Sequence, residues 1–493
     1  MASSTLCAVA SSALCAVASP TLRAMAPSAL CAGDARLLRH SLWRNRTPER
    51  IRVTPMITPF ALTDITVLTG DADGTVHENW TVVVDASGTI EHAGPSGSIE
   101  LGSRAVIDGK GKFVIPGLIN AHAHLFSDGK PLAPLLTGPR TKHLVAKVLH
   151  SPAGRWLTTR RTKANAINQL HSGVTTIRSV GDVRYEVMAV RDAIERGDYL
   201  GPTILPSGPL LPITDGHGAP QISLTSDTPA QARHNTLENL RRGAQTIKIS
   251  ATAGVTDAKE VGYAGRPEMS EQAMRAVCEE AHAVGVIVAA HAQSEEGVLA
   301  ALRAGVDTIE HGSQMSDAVI ELFLDNPNSL RGYSAMIPTV QACLPLVELD
   351  QSVSGATDVV RENAKLVLDE MVSGIATCVE YGIAMGVGND SAVSYVTHSN
   401  FWRELDFLVR YTDLDTRGVL HATTAVNAAI LGIDSVTGSI EPGQSADLVV
   451  LEDNPLESFR NLESPWMVVV RGERIDHPQI TRIPEIDEQL DTL

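Results

Sequence analysis

The chain has 493 residues, of which 43% are hydrophobic, with 26 prolines and a formal net charge of −17. A chain of this length buries one large core with a smaller satellite domain. Its acidity and its 4% aromatic content argue against a nucleic-acid partner or an anionic membrane surface, which both need a net basic face. Six cysteines with no Cys-x-x-Cys spacing supply neither a thiolate zinc site nor a disulfide framework, which fits a reducing cytoplasm. No uninterrupted apolar run approaches the roughly 20 residues that span a bilayer.

Residues 1–55 open with the near-repeats SSTLCAVA, SSALCAVA, SPTLRAMA and PSALCAGD, followed by an Arg-rich stretch. This low-complexity segment matches no solenoid period and is expected to be disordered, with the working protein beginning near Met56. Its Ser, Ala and Arg richness keeps import or export as the alternative location. From Ile57 the text changes to short alternating runs at 64–68, 80–85 and 88–90, punctuated by Gly, Asp and Asn, which predict a small antiparallel sheet. Similar runs return at 447–451 and 466–472. The two ends, 56–113 and 436–475, are therefore expected to form one composite β-sandwich domain, with 476–493 as a tail.

Between 114 and 435 strand-like and helix-like segments alternate. The candidate strands are 114–118, 174–178, 202–206, 246–250, 286–290, 307–310, 334–338 and 384–388. Eight strands wrapped by helices predict an α/β fold, a (β/α)8 TIM-like barrel whose chemistry lies at the carboxyl ends of the strands. The polar residues there are His122 and His124, Lys248, His291, His311 and Asp390. In an extended His-x-His the two imidazoles project to one side, although that pattern alone serves packing equally well. Six such positions in one barrel frame favour a metal site. Imidazole and carboxylate suit zinc, with manganese or cobalt as alternatives, and the lack of thiolates indicates a catalytic site with an open position. A divalent ion there brings the pKa of water to about 7, so attack by a metal-bound hydroxide is expected.

The stretches VIPGLINAHAHL, GVTTIRSVGD, TIKIS, VIVAAHAQ, GVDTIEHGS, GNDSA and the closing TGSIEPGQSADLVVLEDNPLE resemble the amidohydrolase superfamily over roughly residues 57 to 475. The resemblance implies metal binding by His122, His124, His291, His311 and Asp390. It also implies a Lys248 carboxylated by carbon dioxide that bridges two ions, with His122, His124 and Asp390 on the more buried ion and His291 and His311 on the second. Asp390 would take the proton of the attacking hydroxide and pass it to the leaving nitrogen. The implied reaction is hydrolysis of an amide-type C–N bond in a small molecule: amide, dipeptide, urea, carbamate or thiocarbamate. Similar members include prolidase-like dipeptidases, ochratoxin-type amidases and phenylurea or thiocarbamate hydrolases, and the resemblance also implies a homo-oligomer. A mononuclear deaminase or imidazolone hydrolase is the alternative, against which Lys248 counts. A non-catalytic scaffold is a further one, against which the complete ligand set counts.

Four more residues are candidates for substrate contact. His217, in Thr214-Asp215-Gly216-His217-Gly218, resembles the Thr-Gly-Gly-His-Gly loop of the imidazolonepropionase-like and prolidase-like branch, with Asp215 replacing a glycine; it anchors a substrate carbonyl or carboxylate, or fixes the loop. Arg178 contacts substrate or, as favoured, pairs with Asp182. His398 is expected to line the mouth beyond Asp390. Tyr263 contacts substrate or packs within its loop. His282 falls at the wrong end of its βα unit for catalysis.

Overall fold

The computed structural model describes residues 57–131 and 139–493; the expectation for residues 1–55 lies outside them. Both ends of the described chain meet in one eight-stranded sheet. It contains β1 (Phe60–Leu68), β2 (Val76–Val84), β3 (Ile90–Pro95), β4 (Ala105–Asp108) and β5 (Phe113–Pro116). From the other end come β13 (Leu448–Leu451), β14 (Met467–Val470) and β15 (Glu473–Asp476). The strand order is β15-β14-β13-β5-β1-β2-β3, with β4 beside β1. Leu62, Ile65, Val82, Val84, Val114, Leu448, Val450 and Val469 pack as its apolar core. The sheet is mixed rather than antiparallel throughout, because β1 runs parallel to β4 and β5. Alternation sets which face a strand buries but carries no information on strand direction, which the connections decide.

Parallel strands fill the centre. β6 (Leu118–Ala123), β7 (Val174–Ser179) and β8 (Thr203–Pro206) form one parallel sheet. β9 (Thr246–Ser250), β10 (Ile287–Ala292), β11 (Thr308–His311) and β12 (Ala335–Ile337) form another. Every residue of β6, β7, β9, β10, β11 and β12 is buried, as expected of parallel strands covered on both faces. Hydrogen bonds from Gln245 N to Pro206 O (2.8 Å) and from Leu211 N to Lys248 O (2.9 Å) connect the two sheets.

On the other side the segment 384–391 runs between β12 and β6, through Gly386 N to Met336 O (2.9 Å) and Ala121 N to Val387 O (3.1 Å). The strand expected at 384–388 is thus no regular ladder and pairs only through isolated bridges at Met385 and Ser391. The Asn427 side chain occupies the missing rungs, accepting from Val387 N and donating to Val387 O.

Two glycines are dictated by close approach. The chain passes from β5 to β6 at Gly117, where a Cβ would lie 2.1 Å from Thr175 Oγ1. At Gly388 a Cβ would lie 2.4 Å from that of His122, so only glycine lets the 388–390 backbone lie against β6. A cap sets the start of the helix after β10: Ser294, two residues past that strand, accepts from Gly297 N and opens the helix Glu295–Ala304. Beyond residue 476 a short helix, Pro484–Leu490, buries Ile486 and Leu490 beside Leu349 and Tyr395. Cys278, Cys343 and Cys378 are buried free thiols. Among the described residues no helix is long and apolar enough to cross a membrane.

Candidate metal centre

At the carboxyl ends of the parallel strands, His122 and His124 leave β6, Lys248 sits inside β9, His291 in β10 and His311 at the end of β11. Asp390 closes the 384–391 segment. Four of the six lie within strands and His124 directly follows one; His311 (φ 70°) and Asp390 (φ 57°) have a left-handed backbone, a strained state for non-glycine residues. Asp390 Oδ1 lies 3.1 Å from His124 Nε2 and 3.4 Å from His122 Nε2. One ligand atom each of His122, His311 and Asp390 falls within 4.8 Å of the others. The His291 ring lies edge-on to His311 with centroids 4.5 Å apart.

All six side chains are buried, and Lys248 Nζ, His291 Nε2 and Asp390 Oδ1 have no hydrogen-bond partner. Buried polar atoms are almost always paired, so three orphans converging on one place mark a site for a ligand. Burial, reinforced by neighbouring positive groups, depresses His291 and His311 well below the usual imidazole range, so they present lone pairs. Burial also lowers His124. Burial opposes ionisation of Asp390, but His122 and His124 outweigh it and hold the carboxyl well below its ordinary value. Burial brings the Lys248 amine down to about 8. Neutral imidazoles, a carboxylate and a depressed amine form a donor set that fits a divalent cation.

His217 also reaches this place. Its ring stacks on His291 at 4.0 Å between centroids, its Nδ1 lies 2.6 Å from Asp257 Oδ2, and its backbone N donates to Glu268. Burial lowers its affinity for a proton, but Asp257 and Glu268 prevail and raise its pKa.

Two expected substrate contacts are corrected. Arg178 does not pair with Asp182: it is wholly buried, donating to Ala121 O, Thr308 Oγ1 (2.8 Å) and Glu310 Oε1 (2.7 Å), which leaves no surface for substrate. Asp182 is buried elsewhere, its carboxyl pushed well up by burial and by Glu186. His398 does not line a mouth either. It is buried, with Nε2 on Ser127 O (2.7 Å) and Nδ1 on Gln169 Nε2 (3.0 Å), and burial takes it down to about 4. Tyr263 is half-buried on the loop after β9, with Lys259 Nζ 5.5 Å and Arg266 5.9 Å from its ring. His282 bonds Asp307 (2.8 Å), away from the centre.

Sequence reasoning missed the residues behind the imidazoles. Glu310 Oε2 lies 2.6 Å from His122 Nδ1, and Thr339 Oγ1 2.7 Å from His311 Nδ1. Glu404, from the helix Phe401–Tyr411, accepts from Val340 N and Gln341 N and so fixes the chain just after Thr339. Burial pushes its carboxyl up to about 8. The available signal was an acid adjacent to a ligand, as in Glu310-His311.

The fold and the site define a hydrolase of carbon–nitrogen bonds: the chain matches the amidohydrolase family over residues 113–475 and belongs to it. Family membership carries a TIM-barrel-like α/β fold. A Bifidobacterium longum structure provisionally described as a prolidase is 48% identical, with a TM-score of 0.78 over 89% of this chain and 99% of its own. A Xaa-Pro dipeptidase solved with bound methionine is 25% identical, with a TM-score of 0.72 over 85% of this chain and 100% of its own. Aspergillus niger ochratoxinase is 25% identical over 72% of this chain and 73% of that protein.

Proposed function

We propose that the chain is a divalent-metal hydrolase of an amide-type C–N bond, with a dipeptide-type amide as the favoured substrate. The observation that carries the metal reading is the convergence of three orphaned buried atoms, on Lys248, His291 and Asp390, among four histidines. In this reading His122, His124 and Asp390 hold one ion and His291 and His311 a second, zinc in preference to manganese or cobalt. Bound there, divalent cations supply Lewis acidity and a water of lowered pKa. Lys248, as a carbamate, would supply oxygen ligands to both. With its amine brought down to about 8, about a tenth is neutral at pH 7 and able to add carbon dioxide, forming an N–C bond and releasing a proton.

The chain's own residues then divide the work. Asp390, ionised and adjacent to both β6 histidines, accepts the proton of the attacking water at a carboxylate oxygen and delivers it to the departing nitrogen. His217, its Nδ1 bound to Asp257, offers its other nitrogen to a substrate carboxylate. The dipeptide preference is supported by that imidazole, whose pKa Asp257 and Glu268 raise, and by the 48% identical relative provisionally described as a prolidase. Tyr263 contributes a further contact from the loop after β9. The eight parallel segments within 114–435 close as a (β/α)8 barrel, with 56–113 and 436–475 as the composite domain, and the chain assembles as a homo-oligomer.

The test is hydrolysis of Xaa-Pro dipeptides, N-acyl amino acids, aryl amides, phenylureas and thiocarbamates by enzyme loaded with zinc, manganese or cobalt. Turnover of dipeptides above the other classes is expected. Turnover of a phenylurea or thiocarbamate with none of dipeptides would overturn the substrate assignment, and hydrolysis unaffected by chelation would overturn the metal.

A further inference from the structure

We propose that Glu310, clamped by Arg178 and Thr308, is a positioning residue that fixes His122 as its Nδ1–H tautomer and turns the Nε2 lone pair toward Asp390. This rests on the reading of His122 as a metal ligand and names what prepares it for that role.

An ionised carboxylate only accepts, so the nitrogen 2.6 Å from Glu310 Oε2 must carry the proton. With Nδ1 donating to Glu310, the ring nitrogen left to serve a metal is Nε2, 3.4 Å from Asp390 Oδ1. Glu310 is held ionised and immobile. Its other oxygen, Oε1, accepts from Arg178 Nη2 at 2.7 Å and from Thr308 Oγ1 at 2.6 Å, so Oε2 faces His122. Arg178 completes the clamp by donating from Nη1 to Thr308 and from Nε to Ala121 O, the carbonyl directly before His122. One wholly buried guanidinium thus grips both the carboxylate that orients the ring and the backbone that carries it.

Two of the other candidate ligands have no carboxylate in that place. His311 is backed by the neutral hydroxyl of Thr339, and His124 Nδ1 is 3.4 Å from Gly181 O. A carboxylate behind a ligating imidazole raises its basicity and fixes its tautomer, and losing such a partner typically costs 10–100-fold in metal affinity.

The experiment measures zinc affinity of metal-depleted protein by competition with a chromophoric chelator, for the unmodified chain, His122→Asn, Glu310→Gln and Thr308→Val. Nitrogen-15 histidine spectra of the metal-free forms give the tautomer. Glu310→Gln is expected to weaken the tighter zinc by about 10–100-fold and to lose the pure Nδ1–H signature of His122. Thr308→Val, which keeps shape and removes one clamping hydroxyl, is expected to weaken it by about fivefold. If Glu310→Gln does not fold, Thr308→Val carries the test, and unaltered affinity there overturns the proposal. If His122→Asn loses zinc while Glu310→Gln keeps full affinity and an unchanged tautomer, the clamp is overturned and the metal reading stands. If the unmodified chain binds no zinc, or His122→Asn binds it as well, the metal reading fails and the clamp with it.

Discussion

Two buried polar clusters sit together inside the parallel strands, and they differ in how completely their hydrogen bonds are made. Around Arg178 and Glu310 both carboxylate oxygens and three guanidinium nitrogens have protein partners, and both residues are fully buried. Around Lys248, His291 and Asp390, also buried, Lys248 Nζ, His291 Nε2 and Asp390 Oδ1 are left without a hydrogen-bond partner. Leaving a buried polar group unpaired costs about 1–3 kcal/mol, more for a charged one, so the second cluster is an expense the fold bears for a ligand. The first is the frame that keeps the second in place.

Substitutions in the two clusters should therefore separate activity from stability. The largest effect is expected for Asp390→Asn, which removes both a donor atom and the proton acceptor; kcat/KM should fall by about 10³-fold or more with the melting temperature of the metal-free protein little changed. A steady-state assay with a calorimetric scan checks both, and retained turnover would break the division. Lys248→Met comes next, with a loss of roughly 10²–10³-fold, the several kcal/mol that charge stabilisation by bound cations supplies. Reactivation of metal-depleted enzyme should depend on added bicarbonate in the unmodified chain and not in this variant.

Arg178→Met, unlike Asp390→Asn, should act directly on folding stability. Stranding Glu310 in the core is expected to cost about 3–5 kcal/mol of folding stability, read from denaturant midpoints. A stable Arg178→Met protein would show that the frame is dispensable. The smallest effect is expected at Glu404, whose carboxyl titrates from an ordinary value of 4.5 when unfolded to about 8 when buried. The folded state then holds one more proton across that window, so this group's contribution makes stability fall as pH rises from 4.5 to 8. Glu404→Gln should flatten that slope, with an offset of about 1 kcal/mol from one weakened bond to Val340 N or Gln341 N. Parallel stability profiles at pH 5, 6.5 and 8 would contradict the assignment.

The same contrast explains what could be read in the sequence. The six candidate ligands were legible because each ends or occupies an apolar run, and strand periodicity fixes where such residues point. The frame was not, since its contacts join distant positions: Arg178 meets Glu310 across 132 residues, whereas the local guess paired it with Asp182. His398 looked accessible for the same reason, since only the fold brings Gln169 and Ser127 to its two nitrogens. His217 was ambiguous in its loop, and the partner that defines it, Asp257, lies 40 residues on. The 384–388 segment read as a strand because its apolar text could not reveal that an asparagine side chain would take its rungs.

The most direct test of the metal reading is anomalous diffraction at the zinc edge from crystals grown with zinc and bicarbonate. The account predicts two peaks, one beside His122, His124 and Asp390 and one beside His291 and His311, joined by carbamate density on Lys248. No peak within bonding distance of His122 or Asp390 would contradict it.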